Sequence, residues 1–277
     1  MRDDECVHFL QWALPQLEMR WAGFRKVRGQ VCKRLQRRLA RLGLAHIDAY
    51  RAYLETNAEE WPVLDGLCRV TVTRFYRDRL VFAVLTAQVL PGLAQTARDR
   101  NLDRLRLWCA GCASGEEPYS LAIVWQLDLA DRFPGLTLDI LASDADARLL
   151  ARAEIACYPW CAVRNLPGPW RDAAFERSDD LYCLKPDLKA GLRWIQDDIR
   201  APRVFGPFDL ICCRNLAFTY FDQALQLKVA RSLHDRLVPG GVLLLGVREH
   251  LPPGAPAMQT LSERLALYRK PDLYPSG

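Results

Sequence analysis

The run Leu105–Ser120, LRLWCAGCASGEEPYS, constrains this chain more than any other stretch. Apolar residues Leu105, Leu107, Trp108, Cys109 and Ala110 give way to small ones from Gly111 to Gly115, then to Glu116, Glu117 and Pro118. That reads as a strand, a tight glycine turn and a helix start, the order that lets a nucleotide-like ligand approach the backbone. Pro118 suits a first helical turn, where its missing N–H has no partner to lose. Glu116 and Glu117 sit favourably at the positive end of the helix dipole, yet they make a poor phosphate cradle. No lysine follows the turn, which argues against a P-loop, and the absence of G-x-G-x-x-G argues against dinucleotide oxidoreduction. An acidic pair beside a glycine turn suits a ligand carrying hydroxyls and a positive charge. S-adenosylmethionine, with its sulfonium, amine and ribose, is such a ligand.

From residue 105 onward strands and helices alternate, which predicts an α/β fold with a mainly parallel sheet. A helix is expected over about 117–130, and a second strand over Leu136–Ala142 leading into Ser143-Asp144-Ala145-Asp146. A carboxylate at that strand tip suits ribose hydroxyls. Asp144 is the better candidate, because Asp146 reads as a cap for the helix from Ala147 to Ala156. Residues 157–190 read as irregular. A third strand, Leu192–Ile195, ends at Gln196-Asp197-Asp198. The most apolar strand, Phe208–Cys213, fits a central position buried on both faces and delivers Arg214 and Asn215 to the ligand-binding end. A helix over Gln223–Leu237, a Pro239-Gly240-Gly241 turn, a fifth strand over Val242–Gly246 and a hairpin within Met258–Lys270 complete the chain.

Residues 1–78 read as a separate helical domain, and a linker helix over about 80–99 fills 79–104. Between Trp21 and Leu44 the apolar residues Phe24, Val27, Val31, Leu35, Leu39 and Leu42 recur at helical spacing, and Gly43 ends the pattern. Helices are also expected over Ile47–Glu55 and Glu59–Cys68. The other face of the Trp21–Leu44 helix carries Arg25, Lys26, Arg28, Lys33, Arg34, Arg37, Arg38 and Arg41. Net charge is only +5 over 277 residues, so this basic face is a local feature. It is either a solvated surface or a docking face for an acidic protein partner. Nucleic acid is not expected, because no aromatic residues interleave and no base-reading motif is present.

Composition is that of an ordinary globular chain. No membrane insertion is expected, since no run stands out at the ~20 apolar residues of a span. The first residues, MRDDEC, do not have the order of a signal peptide, so the cytoplasm is the expected compartment. The ten cysteines are scattered and several lie in apolar strands, which predicts free, buried thiols. Cys109-Ala-Gly-Cys112 lacks a second ligand pair, and no metal is expected. A monomer is the expected state.

Taken together, AGCASGEEPYS, ASDAD, DLICCRN, YFD and LVPGGVLLLG resemble the CheR family, S-adenosylmethionine-dependent methyltransferases that methylate glutamates of chemotaxis receptors. TRFYRD (73–78) resembles that family's T-x-F-F-R-D signature, with Tyr76 in place of the second Phe. The resemblance implies a class I methyltransferase fold, a Rossmann-like sheet with helices on both faces preceded by a small all-helical domain. The cofactor domain would span 105–277. It implies S-adenosylmethionine as cofactor and S-adenosylhomocysteine as product. It assigns Thr73 and Arg77 to the edge of the site, and Ala110, Gly111 and Glu117 to the methionine portion. Asp144 falls to the ribose, Asp198 and Ile199 to the adenine, and Asn215 to the methionine and acceptor. Arg77 and Tyr220 carry over as the catalytic pair, and the basic helix 24–41 as a face for a receptor. Two departures stand out. The family's R-N-x-x-x-Y-F is one residue longer here, Arg214 to Phe221. The 175–191 segment, where the family carries a small antiparallel subdomain, is short.

A carboxylate acceptor is already ionised at neutral pH, so no general base is required. His8, His46, His234 and His250 all lie outside the motifs. Three readings follow: O-methylation of protein glutamates, methylation of a different acceptor (a small molecule or another peptide), and a non-catalytic sensor of S-adenosylmethionine.

Overall fold

The computed structural model describes residues 2–203 and 206–272. They form two compact units, one of 1–72 with 217–226, the other of 73–216 with 227–277. The segment carrying Tyr220 thus belongs to the helical unit, not to the sheet that precedes it in sequence.

In the helical unit, α1 (Asp3–Gln16), α2 (Trp21–Phe24), α3 (Arg28–Leu42), α4 (Ile47–Thr56) and α5 (Glu60–Cys68) bury Phe9, Leu10, Leu14, Leu35, Tyr50 and Leu64. One helix was expected from Trp21 to Leu44; two are present. The chain starts again at Arg28, whose guanidinium holds the Arg25 carbonyl at 2.7 Å and Asp3 at 2.9 Å. Gly43 ends α3 in the left-handed conformation (φ +67°), which satisfies the last carbonyls. The basic face is less free than its spacing implied. Arg38 pairs with buried Glu60 at 2.6 Å, and Arg34 donates to the carbonyls of Leu67 and Arg69 at the end of α5. Arg25, Lys26, Lys33, Arg37 and Arg41 remain as its outward charges.

The second unit is built on ten strands: β1 (Arg104–Ala110), β2 (Thr137–Asp144), β3 (Cys157–Pro159), β4 (Phe175–Ser178), β5 (Leu181–Leu184), β6 (Leu192–Gln196), β7 (Phe208–Cys213), β8 (Leu237–Leu245), β9 (Gln259–Ser262) and β10 (Leu267–Arg269). The main sheet has the order β6-β2-β1-β7-β8-β10-β9, with β10 the one strand running against its neighbours. Counted within this sheet the order is 3-2-1-4-5-7-6, and the topological switch falls between β1 and β7, where ligands bind beyond the strand ends. Helices α6 (Arg79–Asp99), α7 (Glu116–Val124), α8 (Ala147–Ile155) and α9 (Gln223–Asp235) accompany the sheet.

Helix α6 passes the length and composition test for a membrane span, contrary to expectation. Its Val81, Phe82, Leu85, Leu90, Leu93, Ala94 and Ala97 belong to the core of this unit, which accounts for its apolar character. The Pro239-Gly240-Gly241 turn proves to lie inside β8, which starts at Leu237 and pairs with β7 through a shift in register. The stretch 157–190 is ordered rather than irregular: β3, β5 and β4 form an antiparallel sheet despite the short segment. The expectation of free, buried thiols holds for the strand cysteines Cys109, Cys212 and Cys213 and fails for four others. Cys6 is bonded to Cys32 across α1 and α3, and Cys157 to Cys183 across β3 and β5. Pairs 26 residues apart are joined by packing, which spacing alone does not reveal. The remaining thiols are buried except Cys161.

Candidate cofactor site

The turn after β1 is held from β2. Gly111 and Cys112 donate N–H groups to the Ser143 carbonyl at 2.8 and 2.9 Å, and Trp108 Nε1 donates to Ser143 Oγ. Asp144 accepts the N–H of Ala113 on one oxygen and that of Asp146 on the other, both at 2.9 Å. Asp144 therefore fixes the loop that surrounds any ligand at the β2 tip. Gly111 takes a left-handed conformation (φ +76°) in which a side chain is strained, and a Cβ there would push on the Leu216 side chain at 2.3 Å. Ala110 and Gly111 thus present backbone at the switch point.

The two glutamates diverge. Glu116 turns inward, accepts from Ser114 Oγ on both oxygens, and has Thr73 among its donors. Burial pushes its carboxyl above the usual range, against the pull of those donors. Glu117 turns to Arg214, whose Nη1 donates to it at 2.7 Å. The same guanidinium donates through Nη2 to Asp78 at 2.7 Å and to the Arg77 carbonyl at 3.2 Å. Arg214 has a side chain only 3 % exposed. Burial works against its charge, but the two carboxylates outweigh burial and raise its pKa further. One arginine thereby ties together the TRFYRD loop, the start of α7 and the tip of β7. Phe75 anchors that loop against Tyr158 and Phe175, at ring distances of 4.8 and 5.2 Å.

Beyond Arg214 the chain turns through Asn215 in the left-handed region (φ +55°). Glu249, 1 % exposed, accepts the N–H groups of Asn215, Leu216 and Gly246 at 2.7, 3.1 and 2.8 Å. A Cβ at Gly246 would lie 2.5 Å from Asn215 Nδ2 and 2.8 Å from Glu249 Oε2, so any side chain there would push on both. The Asn215 side-chain oxygen is buried with no donor facing it.

At the β6 tip, Ile199 is buried and the Asp198 carboxylate holds Arg200 through Nη2 at 2.6 Å and Nε at 3.0 Å. A ligand amine there would share Asp198 with that arginine. Cys109 Sγ, Glu117 and Cys212 Sγ lie within 4.8 Å of one another, a donor set suited to a thiophilic cation. Burial holds the Cys109 thiol well above its ordinary pKa, and Glu117 already faces Arg214. Tyr220 sits in the helical unit, on the one-turn helix Ala217–Tyr220, with its ring 5.0 Å from that of Phe24.

The structure thus gathers Thr73, Arg77, Ala110, Gly111, Glu117, Asp144 and Asn215 with the β1, β2 and β7 tips. Sequence reasoning missed Asp78 and Glu249 and gave Arg214 no role. Asp78 closes a motif already noticed, so it was within reach. Glu249 carried no signal, because its role depends on backbone N–H groups over thirty residues away.

The donors fit S-adenosylmethionine. Asp78 and Glu117 share one guanidinium, which leaves a net negative charge, and the orphaned Asn215 oxygen is an acceptor for an amine. The sheet order and this site define a class I S-adenosylmethionine-dependent methyltransferase. A family model for the CheR methyltransferase, SAM binding domain, matches residues 71–265, and the chain belongs to the CheR methyltransferase family. It is 34 % identical over 186 residues to a chemotaxis protein methyltransferase of Listeria innocua, covering 67 % of this chain and 68 % of that one. It is 31 % identical to chemotaxis protein methyltransferase 2 of Vibrio cholerae (78 % and 76 % covered) and 32 % identical to the chemotaxis protein methyltransferase of Escherichia coli (80 % and 77 % covered).

Proposed function

We propose that this protein transfers a methyl group to glutamate carboxylates of a protein acceptor. The observation that carries the reading is the Arg214 clamp, which sets the TRFYRD loop beside the acidic turn with one carboxylate in excess. When bound, S-adenosylmethionine supplies a methyl group bonded to a cationic sulfur. Glu117 and Asp78 would stabilise its positive charge, and the unpartnered Asn215 oxygen would accept from its amine. Asp144, which holds the glycine loop, would face the ribose, and Ile199 with Asp198 would border the adenine. Arg77 would orient the acceptor carboxylate through its planar fork, and the family resemblance assigns Tyr220 a hydrogen bond to the acceptor. An ionised acceptor carboxylate would need no base: its oxygen would take the methyl group as the sulfur–carbon bond breaks and neutral S-adenosylhomocysteine leaves, so catalysis would rest on alignment and on the electrostatics of charge neutralisation.

The outward charges of α3 (Lys33, Arg37 and Arg41, with Arg25 and Lys26 just before it) are proposed as the docking face for an acidic acceptor, in the cytoplasm. Labelled S-adenosylmethionine incubated with lysate of the native host tests the reading. Base-labile label on a protein supports it. Base-stable label, or label confined to small molecules, favours a different acceptor, and cofactor binding with no label favours a sensor.

A further inference from the structure

We infer that Arg20 and Gly23 are positioning residues for Tyr220, fixing the path of the short helix that carries it. This rests on the reading of Tyr220 as a residue that meets the acceptor. A one-turn helix leaves its last carbonyls without partners. Here Arg20 takes three in succession: its guanidinium donates to the carbonyls of Phe218 and Thr219 (3.1 Å for the latter), and its own N–H donates to that of Tyr220 at 2.8 Å. A cation at the negative end of a helix is favourable in itself.

Gly23 makes the approach possible. A Cβ there would lie 2.3 Å from the Thr219 oxygen and 3.1 Å from Tyr220 Cδ1. The two segments run side by side on either hand of this contact. Met19 bridges Phe221 in antiparallel fashion, and Asp222 N–H donates to the Glu18 carbonyl at 2.8 Å. A helix of one turn does not fix its own path, so the tyrosine at its end is displaced unless something outside the segment holds it. Residues 18–24 do so, through backbone atoms and one guanidinium, leaving the Tyr220 ring seated against Phe24.

The test uses the full chain, with lysate of the native host as methyl acceptor and S-adenosylhomocysteine binding measured separately. Arg20→Ala and Gly23→Ala are expected to lower turnover by up to about 10²-fold, the scale of a 1 Å misplacement. The dissociation constant for S-adenosylhomocysteine should stay within about twofold. Arg20→Lys should recover part of the loss, and Arg20→Ala added to Tyr220→Phe should lower turnover little further. Amide hydrogen exchange at Asp222 should rise in both alanine variants, whether or not the lysate holds an acceptor. Unchanged exchange overturns the inference, as does an Arg20→Ala loss that is equally large in the Tyr220→Phe background. Wild-type turnover in Tyr220→Phe overturns the reading of Tyr220 on which it rests, leaving the exchange result to stand for the loop alone.

Discussion

Arg214 has two carboxylates and one carbonyl within reach of a single buried guanidinium. Truncating it leaves Asp78 and Glu117 facing each other without a cation. Breaking a buried pair of this kind destabilises by about 3–5 kcal/mol. Arg214→Met should therefore lower the chemical-denaturation midpoint and abolish S-adenosylhomocysteine binding in titration calorimetry. Arg214→Lys should recover stability only in part, because an ammonium cannot span both partners as a fork does. Asn215→Ala removes the orphaned acceptor and should weaken cofactor binding by about tenfold, equivalent to about 1.4 kcal/mol, and should also cost stability because alanine is strained at the left-handed φ of +55° there. Glu249→Gln puts an NH2 group against backbone donors and should destabilise by about 1–3 kcal/mol. At this scale the sequence was a partial guide. Gly111, Glu117 and Asp144 stood out because glycine turns and strand-tip carboxylates are local patterns. Arg214 and Glu249 act across the fold, on residues their own neighbourhoods do not name.

Among the elements, α3 shows how a helix face can be misread. Period 3.6 located its apolar side and Gly43 located its end. Which of the opposing arginines are solvated depends on α1 and α5, which the period does not contain. Arg38 and the Tyr50 hydroxyl both donate to Glu60, at 2.6 and 2.7 Å. Burial raises the Glu60 pKa, but these donors outweigh it and hold the carboxyl below its ordinary value. A lowered folded-state pKa stabilises above the unfolded value, and that stability is lost as pH falls through the folded one. The helical unit should therefore keep its stability above about pH 4.5 and lose it progressively below. In Glu60→Gln the denaturation midpoint should be lower at neutral pH and flatter across the acid range. An equal acid slope in wild type and variant would remove Glu60 from this account. The short strands β3–β5 were invisible for a related reason: three or four residues give too little alternation to read.

For the molecule as a whole, alternation of strands and helices after residue 105 predicted the mainly parallel sheet, and the apolar run Phe208–Cys213 predicted which strand tip reaches its ligand-binding end. It did not predict that 217–226 would join the helical unit, since chain order says nothing about where a loop packs. Nor did it predict the cysteine pairing. Protein purified without reductant should release six thiols in denaturant and ten after reduction, with Cys161 reacting first in the native state. Ten thiols before reduction would mean that neither bridge forms. The central claim is the transfer itself, and it is tested most directly by trapping volatile methanol. Acceptor protein labelled from methyl-tritiated S-adenosylmethionine would be repurified and treated with mild base. Carboxyl methylation predicts that the label leaves as methanol, and that it never appears when Arg214→Met replaces the wild type. Label that survives base on the protein would contradict it.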